Sequence, residues 1–339
     1  MSERLAALIA LIAFALLVVG ALVTGGQIGS DTPGHVAFQI ATGSNEGVYF
    51  PVGQAMSQII SHPPGVGRCD TATVCGPAGV ILSARTSQGA ADNLRSVNAG
   101  TVDSGFADGD LIAESVAGTP PFRRRATHLR VMAALFSEDL HLVVAAKSSI
   151  RSVDDLRGKR VFLGPADSGG AVRGRAVLTA FGVEHVRLVA SDGTSPDQML
   201  KAGRIDAYFS MAGVPLETVK TLVAKGIARL APIDGEGRDR LVKALPQLAP
   251  AVIAAGVYPG TGAIETVGTR AYWITRDSEP DPLIYGVTRA LFNPANRGAL
   301  TASHPSARDI SLVSAVTNPP APLHKGAARY YREMGVLPP

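Results

Sequence analysis

From residue 36 onward the chain alternates between two hydrophobic rhythms. Val36, Phe38 and Ile40 recur at every second position, as a half-buried strand requires. Val48, Val52, Ala55, Met56, Ile59 and Ile60 then recur at three- and four-residue spacing, which predicts an amphipathic helix with Pro51 tolerated in its first turn. Between the two lies Gly43-Ser-Asn-Glu-Gly47. Unpaired N–H groups at a helix start carry a partial positive charge and bind carboxylate or phosphate, and glycine lets a ligand approach the backbone closely. Ordinary αβ units also need glycine turns, so the loop has a plain structural reading beside the ligand-binding one.

The same alternation of strand and helix continues to the end, which predicts an α/β fold with largely parallel sheets. Gly100-Thr-Val-Asp-Ser-Gly-Phe106 and Gly203-Arg-Ile-Asp-Ala-Tyr-Phe209 echo each other, each placing a helix-ending glycine before a short strand. Upstream of the second echo, Arg160–Leu163 reads as a strand, Gly164-Pro-Ala-Asp-Ser-Gly-Gly170 as a loop, and Ser168 as the cap of a helix that begins near Ala171 and ends at Gly182. This is a second anion seat. Two tandem units of one plan suggest two related lobes whose seats close on one ligand at the carboxyl ends of strands. Ser152-Val-Asp-Asp155 and Ser195-Pro196 are helix-start signals. His141–Ala145 and Ala271–Thr275 are the candidate connections between lobes, and Trp273 reads as core before ligand platform.

A length of 339 residues predicts about two domains, and 46% hydrophobic content suffices for two cores. Leu5–Val23 is an uninterrupted apolar or small run after Arg4. It reads as an export signal, but it is long enough to cross a bilayer, so an uncleaved anchor competes with a cleaved signal. Export makes the cysteines informative. Cys69 and Cys75, the only two, have five residues between them; a local disulfide is the favoured reading, while two free thiols or half a metal site would need further ligands that the sequence near them lacks. The net charge of +4 is scattered. Its one dense cluster, Arg123-Arg124-Arg125 with Arg130, has only Phe122 interleaved, which argues for a solvated loop or a contact with an acidic partner or lipid headgroups and against nucleic acid.

A search for catalytic machinery finds no nucleophile elbow, zinc-protease signature or phosphate-binding Walker loop, and the seven histidines are dispersed. His141 lies on an apolar strand, where a satisfied core histidine is the ordinary reading. Glu138-Asp139 offers an acid pair, but adjacent carboxylates just before a strand normally point to different sides. No enzyme activity, cofactor or metal is expected.

Several segments match a known family across the chain after residue 35. They are A-T-G-S-N-E-G-V-Y-F-P-V-G (41–53), T-S-Q-G-A-A-D-N-L-R-S-V-N-A-G-T-V-D-S-G-F (86–106), S-E-D-L-H-L-V (137–143), S-V-D-D-L-R-G-K-R-V-F-L-G (152–164), D-S-G-G (167–170), G-R-I-D-A-Y-F-S-M-A-G-V-P (203–215) and P-L-H-K-G-A-A-R-Y-Y-R-E-M-G (322–335). In this order and spacing the chain resembles the TAXI family of solute receptors, the extracytoplasmic subunits of tripartite ATP-independent periplasmic (TRAP) transporters. The resemblance implies a monomeric two-lobed periplasmic binding fold of type II, with a cleft between lobes and two hinge strands. Residues 1–34 would be the signal or anchor, 35–145 plus 269–339 the first lobe, and 146–268 the second. The receptor would close on a small carboxylate, such as glutamate, a dicarboxylate or a 2-oxo acid, and deliver it to a membrane permease.

By residue, the resemblance places ligand contacts on Gly43, Ser44, Gly47 and Tyr49, on Ser87 and Asn93, on Ser168, Gly169 and Gly170, and on Tyr208, Phe209, Ala212 and Gly213. Ser and Asn would offer neutral hydrogen bonds, and Tyr49 a ring face with a hydroxyl. The sequence departs from the family at Ala90 and Gly170, where hydroxyl residues are usual, and at Asp108-Gly-Asp110, whose extra carboxylate disfavours an anion and favours an ammonium group. Arg173 could pair with the ligand, but a surface position is the ordinary reading and it stays outside the candidate set. A receptor for an ATP-driven importer or a sensor, and an exported enzyme on the same fold, are the alternatives.

Overall fold

In the computed structural model, residues 36–338 are described except Glu46, 70–73, 165–168 and Ser191. The apolar run Leu5–Val23 and the candidate Ser168 lie outside the described residues. The strands are β1 (Val36–Ala41), β2 (Val80–Arg85), β3 (Ser104–Asp108), β4 (Leu129–Ala145), β5 (Arg160–Phe162), β6 (Arg187–Leu188), β7 (Ala207–Ala212), β8 (Ala228–Ala231), β9 (Ala249–Ile253) and β10 (Ile264–Arg276). The helices are α1 (Tyr49–Ile60), α2 (Ala90–Ala99), α3 (Gly109–Ala117), α4 (Gly169–Phe181), α5 (Pro196–Lys201), α6 (Glu217–Ala224), α7 (Gly235–Ala244), α8 (Asp281–Leu291), α9 (Arg297–Ser303) and α10 (Lys325–Glu333).

The strands form one sheet in the order β2-β1-β3-β10-β4-β7-β5-β6, with β8 beside β4 and β9 beside β10. The order repeats. In the first half β1 lies between β2 and β3, all parallel, and β3 meets β10 antiparallel. In the second half β5 lies between β6 and β7, again parallel, and β7 meets β4 antiparallel. The two echoed segments therefore end in β3 and β7, which hold matching positions. Parallel neighbours need a crossover, so each half is wound as strand-helix-strand, with its loops at the carboxyl ends of the strands.

β4 and β10 tie the halves together. They pair with each other over Leu129–Asp139 and Gly268–Arg276; β4 then continues to pair with β7 and β8, and the start of β10 pairs with β9. The runs expected to connect the lobes each pair within one half, His141–Ala145 with β7 and β8 and Ala271–Thr275 with β3 and β4; the change of partners falls at Asp139 in β4 and Gly268 in β10.

Local structure follows the periodicities. In α1, Val52, Ala55, Met56, Ile59 and Ile60 are buried, while in β1 Phe38 and Ile40 are buried and Val36 is exposed at the sheet's end. Helix α2 stops at Gly100, whose φ of 75° is left-handed and costs glycine little. On one face of the first half Phe38, Phe106 and Trp273 pack with α1; on the other, Ala107, Tyr272 and Ile274 pack with α2 and α3. Trp273 is fully buried, 6.4 Å from the Phe38 ring centre. The second half has its own layer between α4, α7 and the far face of β4, β5 and β7.

Cys69 and Cys75 form a disulfide between α1 and β2, with Cα atoms 5.3 Å apart. Among the described residues no cluster of three metal-ligating side chains occurs, and no helix is long and apolar enough to cross a membrane. His141 is buried, with Nε2 2.6 Å from the Tyr258 hydroxyl and Nδ1 2.8 Å from the Asp139 carbonyl; burial pushes its pKa down to about 4.

Candidate functional site

The loops at the carboxyl ends of the parallel strands surround a cavity of about 430 Å³. From the first half come Gly43, Ser44 and Gly47 between β1 and α1, Tyr49 at the start of α1, Gln88–Ala91 before and within α2, Asp108 at the end of β3, and Glu138 from the middle of β4. From the second half come Leu163, Gly164, Gly170 and Arg173 around the start of α4, Ser195–Asp197 at the start of α5, Tyr208–Ala212 from β7, and Leu216 and Thr218. The glycine loops of both halves thus border one space. A second cavity of about 520 Å³ shares Gly47, Val48, Asp197, Leu216 and Thr218 with it and extends past Lys201 and His304.

A buried charged network crosses this space. Arg173, only 5% exposed on α4, bonds through Nε to Asp110 Oδ2 (2.6 Å) and through Nη2 to Asp110 Oδ1 (2.9 Å), and Nη2 also bonds Asp108. Asp108 and Asp110 are themselves 4% and 3% exposed. The Tyr49 hydroxyl lies 2.9 Å from Asp108 Oδ1 and 2.8 Å from Glu138 Oε2. Five side chains from both halves form a single cluster.

Its electrostatics follow from burial and sharing. Burial, joined by the Asp108 charge, raises Glu138 well above the usual carboxyl range. Burial also opposes the charge of Asp108, but the Arg173 guanidinium and the surrounding hydrogen bonds outweigh it and hold that carboxyl low. Burial opposes the Arg173 charge too, and the two aspartates overcome it. Tyr49 is raised by burial and then by its two acidic neighbours. One turn behind Asp110, Glu114 is pushed up to about 7 by burial and by the Asp110 charge.

Of the residues singled out in the sequence, Gly43, Ser44, Gly47, Tyr49, Gly170, Tyr208, Phe209 and Ala212 line the cavity. Ser87, Asn93 and Gly213 do not. Asn93 is fully buried and its Nδ2 donates to the carbonyls of Thr42 (2.6 Å) and Phe106 (2.8 Å), tying the ends of β1 and β3 together. Ser87 is turned to the backbone, its Oγ donating to the Thr42 carbonyl and accepting from Gly89 N–H. Gly213 packs against Ser306 and Val48, where a Cβ would come within 2.6 Å of Ser306 Oγ. Gly169 is the first residue of α4.

Arg173 is the main correction. A surface position was expected, yet it is buried, because two carboxylates across the cavity compensate its charge. The signal was present in Asp108-Gly-Asp110, a pair of acids in an apolar strand-to-helix turn that demands a counter-ion, but nothing local says where that cation resides. Glu138 also lies on the cavity wall although it is outside the candidate set: within β4 it turns inward and Asp139 the other way, and Asp139 is raised to about 6 by burial and by Asp309.

Two matching half-sheets joined by two shared strands, with a polar cavity between their loops, make the fold of periplasmic solute-binding proteins. MatC (Rpa3494) from Rhodopseudomonas palustris with bound malate superposes with a TM-score of 0.52, at 14% identity over 88% of this chain and 97% of that one. A structure described as a periplasmic transporter gives 0.50, at 15% identity over 90% and 94% of the two chains. The alkanesulfonate-binding protein SsuA from Xanthomonas axonopodis pv. citri bound to MOPS gives 0.45, at 15% identity over 89% and 85%. At these identities the likeness to the first two is one of fold. The family is carried by sequence: the NMT1-like family model matches residues 40–335, and the chain belongs to that family.

Proposed function

We propose that this protein is an extracytoplasmic solute receptor that closes on a small carboxylate and presents it to a membrane permease. The observation that carries this reading is one cavity bordered by Gly43, Ser44 and Gly47 from one half and by Gly164 and Gly170 from the other, with the starts of α1, α2 and α4 around it. Helix starts favour a negatively charged group without a metal. Residues 35–145 with 269–339 and residues 146–268 act as lobes, and β4 and β10 are the hinges. A solute touching both lobes stabilises the closed form by its differential contacts there.

The carboxylates of Asp108 and Asp197 and the acid Glu138 on the same walls favour a solute that carries an ammonium or neutral polar group beside its carboxylate, an amino acid before a dicarboxylate. The malate bound to MatC keeps a small carboxylate in view as ligand class. The motifs quoted above support a TRAP permease as the partner, an ATP-driven importer being the alternative. Residues 5–23, where retained, tether the receptor beside it in the periplasm.

The test is a thermal-shift screen of amino acids, dicarboxylates and 2-oxo acids, followed by small-angle scattering with the best binder. A raised melting temperature together with a smaller radius of gyration is expected. Binding without compaction overturns the closure mechanism, and absence of any binder overturns the receptor reading. Incubation with the binder returns it unchanged if the protein is a receptor; turnover makes it an enzyme.

A further inference from the structure

We infer that Arg173 is the residue that selects the solute's carboxylate, holding it through Nη1 while Asp108 and Asp110 fix the orientation of the guanidinium. The inference rests on the receptor reading and names the group by which that site recognises its ligand class.

A guanidinium has five N–H donors in a rigid plane. Asp110 takes Nε–H and one Nη2–H side-on, and Asp108 takes the other Nη2–H. Both N–H groups of Nη1 have no protein acceptor among the described residues, on a residue that is 5% exposed and borders the cavity. Nη1 is therefore the edge of the guanidinium left open to the cavity, and a carboxylate is the occupant whose shape and charge fit those two donors.

The rest of the cluster explains why Nη1 stays available. Asp108 accepts from Tyr49 through Oδ1 as well as from Arg173 through Oδ2, so its two oxygens are engaged without Nη1. Asp110 uses both oxygens on the opposite edge of the guanidinium. The starts of α1, α2 and α4 offset part of the negative charge that the aspartates bring. Clamped from behind, the guanidinium loses little conformational freedom when a solute arrives.

A structural tie between the halves would use the same salt bridges, so the experiment must separate the two roles. Isothermal titration would compare the best-binding acid of a panel containing L-glutamate and 2-oxoglutarate with its carboxamide analogue, in wild type, Arg173→Lys and Asp110→Asn. Wild type should prefer the acid by about 10- to 100-fold, the range of one charge-assisted hydrogen-bonded pair. In Arg173→Lys, which keeps the charge but lacks Nη1, that ratio should fall toward one while binding of the carboxamide changes little. Asp110→Asn should weaken binding of the acid with the ratio largely retained.

Equal weakening of acid and amide in Arg173→Lys, with the preference intact, overturns the inference and leaves Arg173 a structural tie. A wild-type protein that binds acid and amide equally well overturns it too, while the receptor reading survives. Failure of every panel member to bind wild type overturns the receptor reading itself.

Discussion

The Tyr49 hydroxyl sits 2.8 Å from Glu138 Oε2, so the first residue of α1 is fastened to the middle of β4, a strand shared by both halves of the sheet. The same oxygen is 2.9 Å from Asp108, and the ring packs edge-on to Phe106 with centroids 5.5 Å apart. Tyr49→Phe keeps the ring packing and removes the bridge. Loss of a hydrogen bond to a buried charged group should cost about 1–3 kcal/mol. Urea unfolding is expected to show that loss, and titration a weaker affinity for the solute; an unchanged midpoint would mean the hydroxyl bridge contributes nothing.

Glu114 makes stability depend on pH with a definite sign. Its folded value of about 7 lies above the ordinary 4.5, so the folded state holds the proton more tightly. Its favourable contribution is complete below about 4.5 and is lost as pH rises through about 7. Glu114→Gln should therefore narrow the difference in melting temperature between pH 5 and pH 8. His141 has the opposite sign, since its folded value of about 4 lies below the ordinary 6.5. Its contribution is present above 6.5 and declines as pH falls toward 4, so an acid-side loss of stability should persist in the Glu114→Gln variant.

The disulfide closes a short loop, and neither of its cysteines lines the cavity. In the chain-entropy model a loop of this size contributes about 2 kcal/mol. Reduction, or the Cys69→Ser/Cys75→Ser double substitution, should lower the melting temperature while leaving solute affinity unchanged, because neither cysteine borders the cavity. A change in affinity with no change in stability would contradict this placement.

Gly326 lets α10 lie directly on the start of α8. A Cβ there would stand 2.3 Å from the Asp281 carbonyl oxygen and 2.8 Å from the Tyr285 nitrogen, both backbone atoms that cannot turn aside. Gly326→Ala should force the helices apart and cost at least about 1–3 kcal/mol. Chemical denaturation is the check, and a wild-type midpoint would show that the helices slide apart freely.

Much of the architecture was legible because it rests on local periodicity. The alternation in β1, the helical spacing in α1, the stops at Gly100 and Gly182 and the proline that opens α5 are consequences of a few neighbouring residues. The echo between Gly100–Phe106 and Gly203–Phe209 even carried the repeated strand order, since each half winds the same way. The candidate site was legible where it depends on loop backbone, as at Gly43, Gly47 and Gly170, and illegible where a side chain must choose a partner. Asn93 and Ser87 have side chains suited to a ligand, but the Thr42 carbonyl is nearer.

The sequence by itself determined the order of strands and helices and the glycine loops at helix starts, because hydrophobic period and turn chemistry act within a few residues. The tertiary structure alone decided that Arg173 would meet Asp108 and Asp110, more than sixty positions earlier in the chain, and that Tyr49 would meet Glu138. Charge pairing of this kind is decided by distance in space and by the loss of water around both partners. Neither quantity exists until the two halves of the sheet have come together.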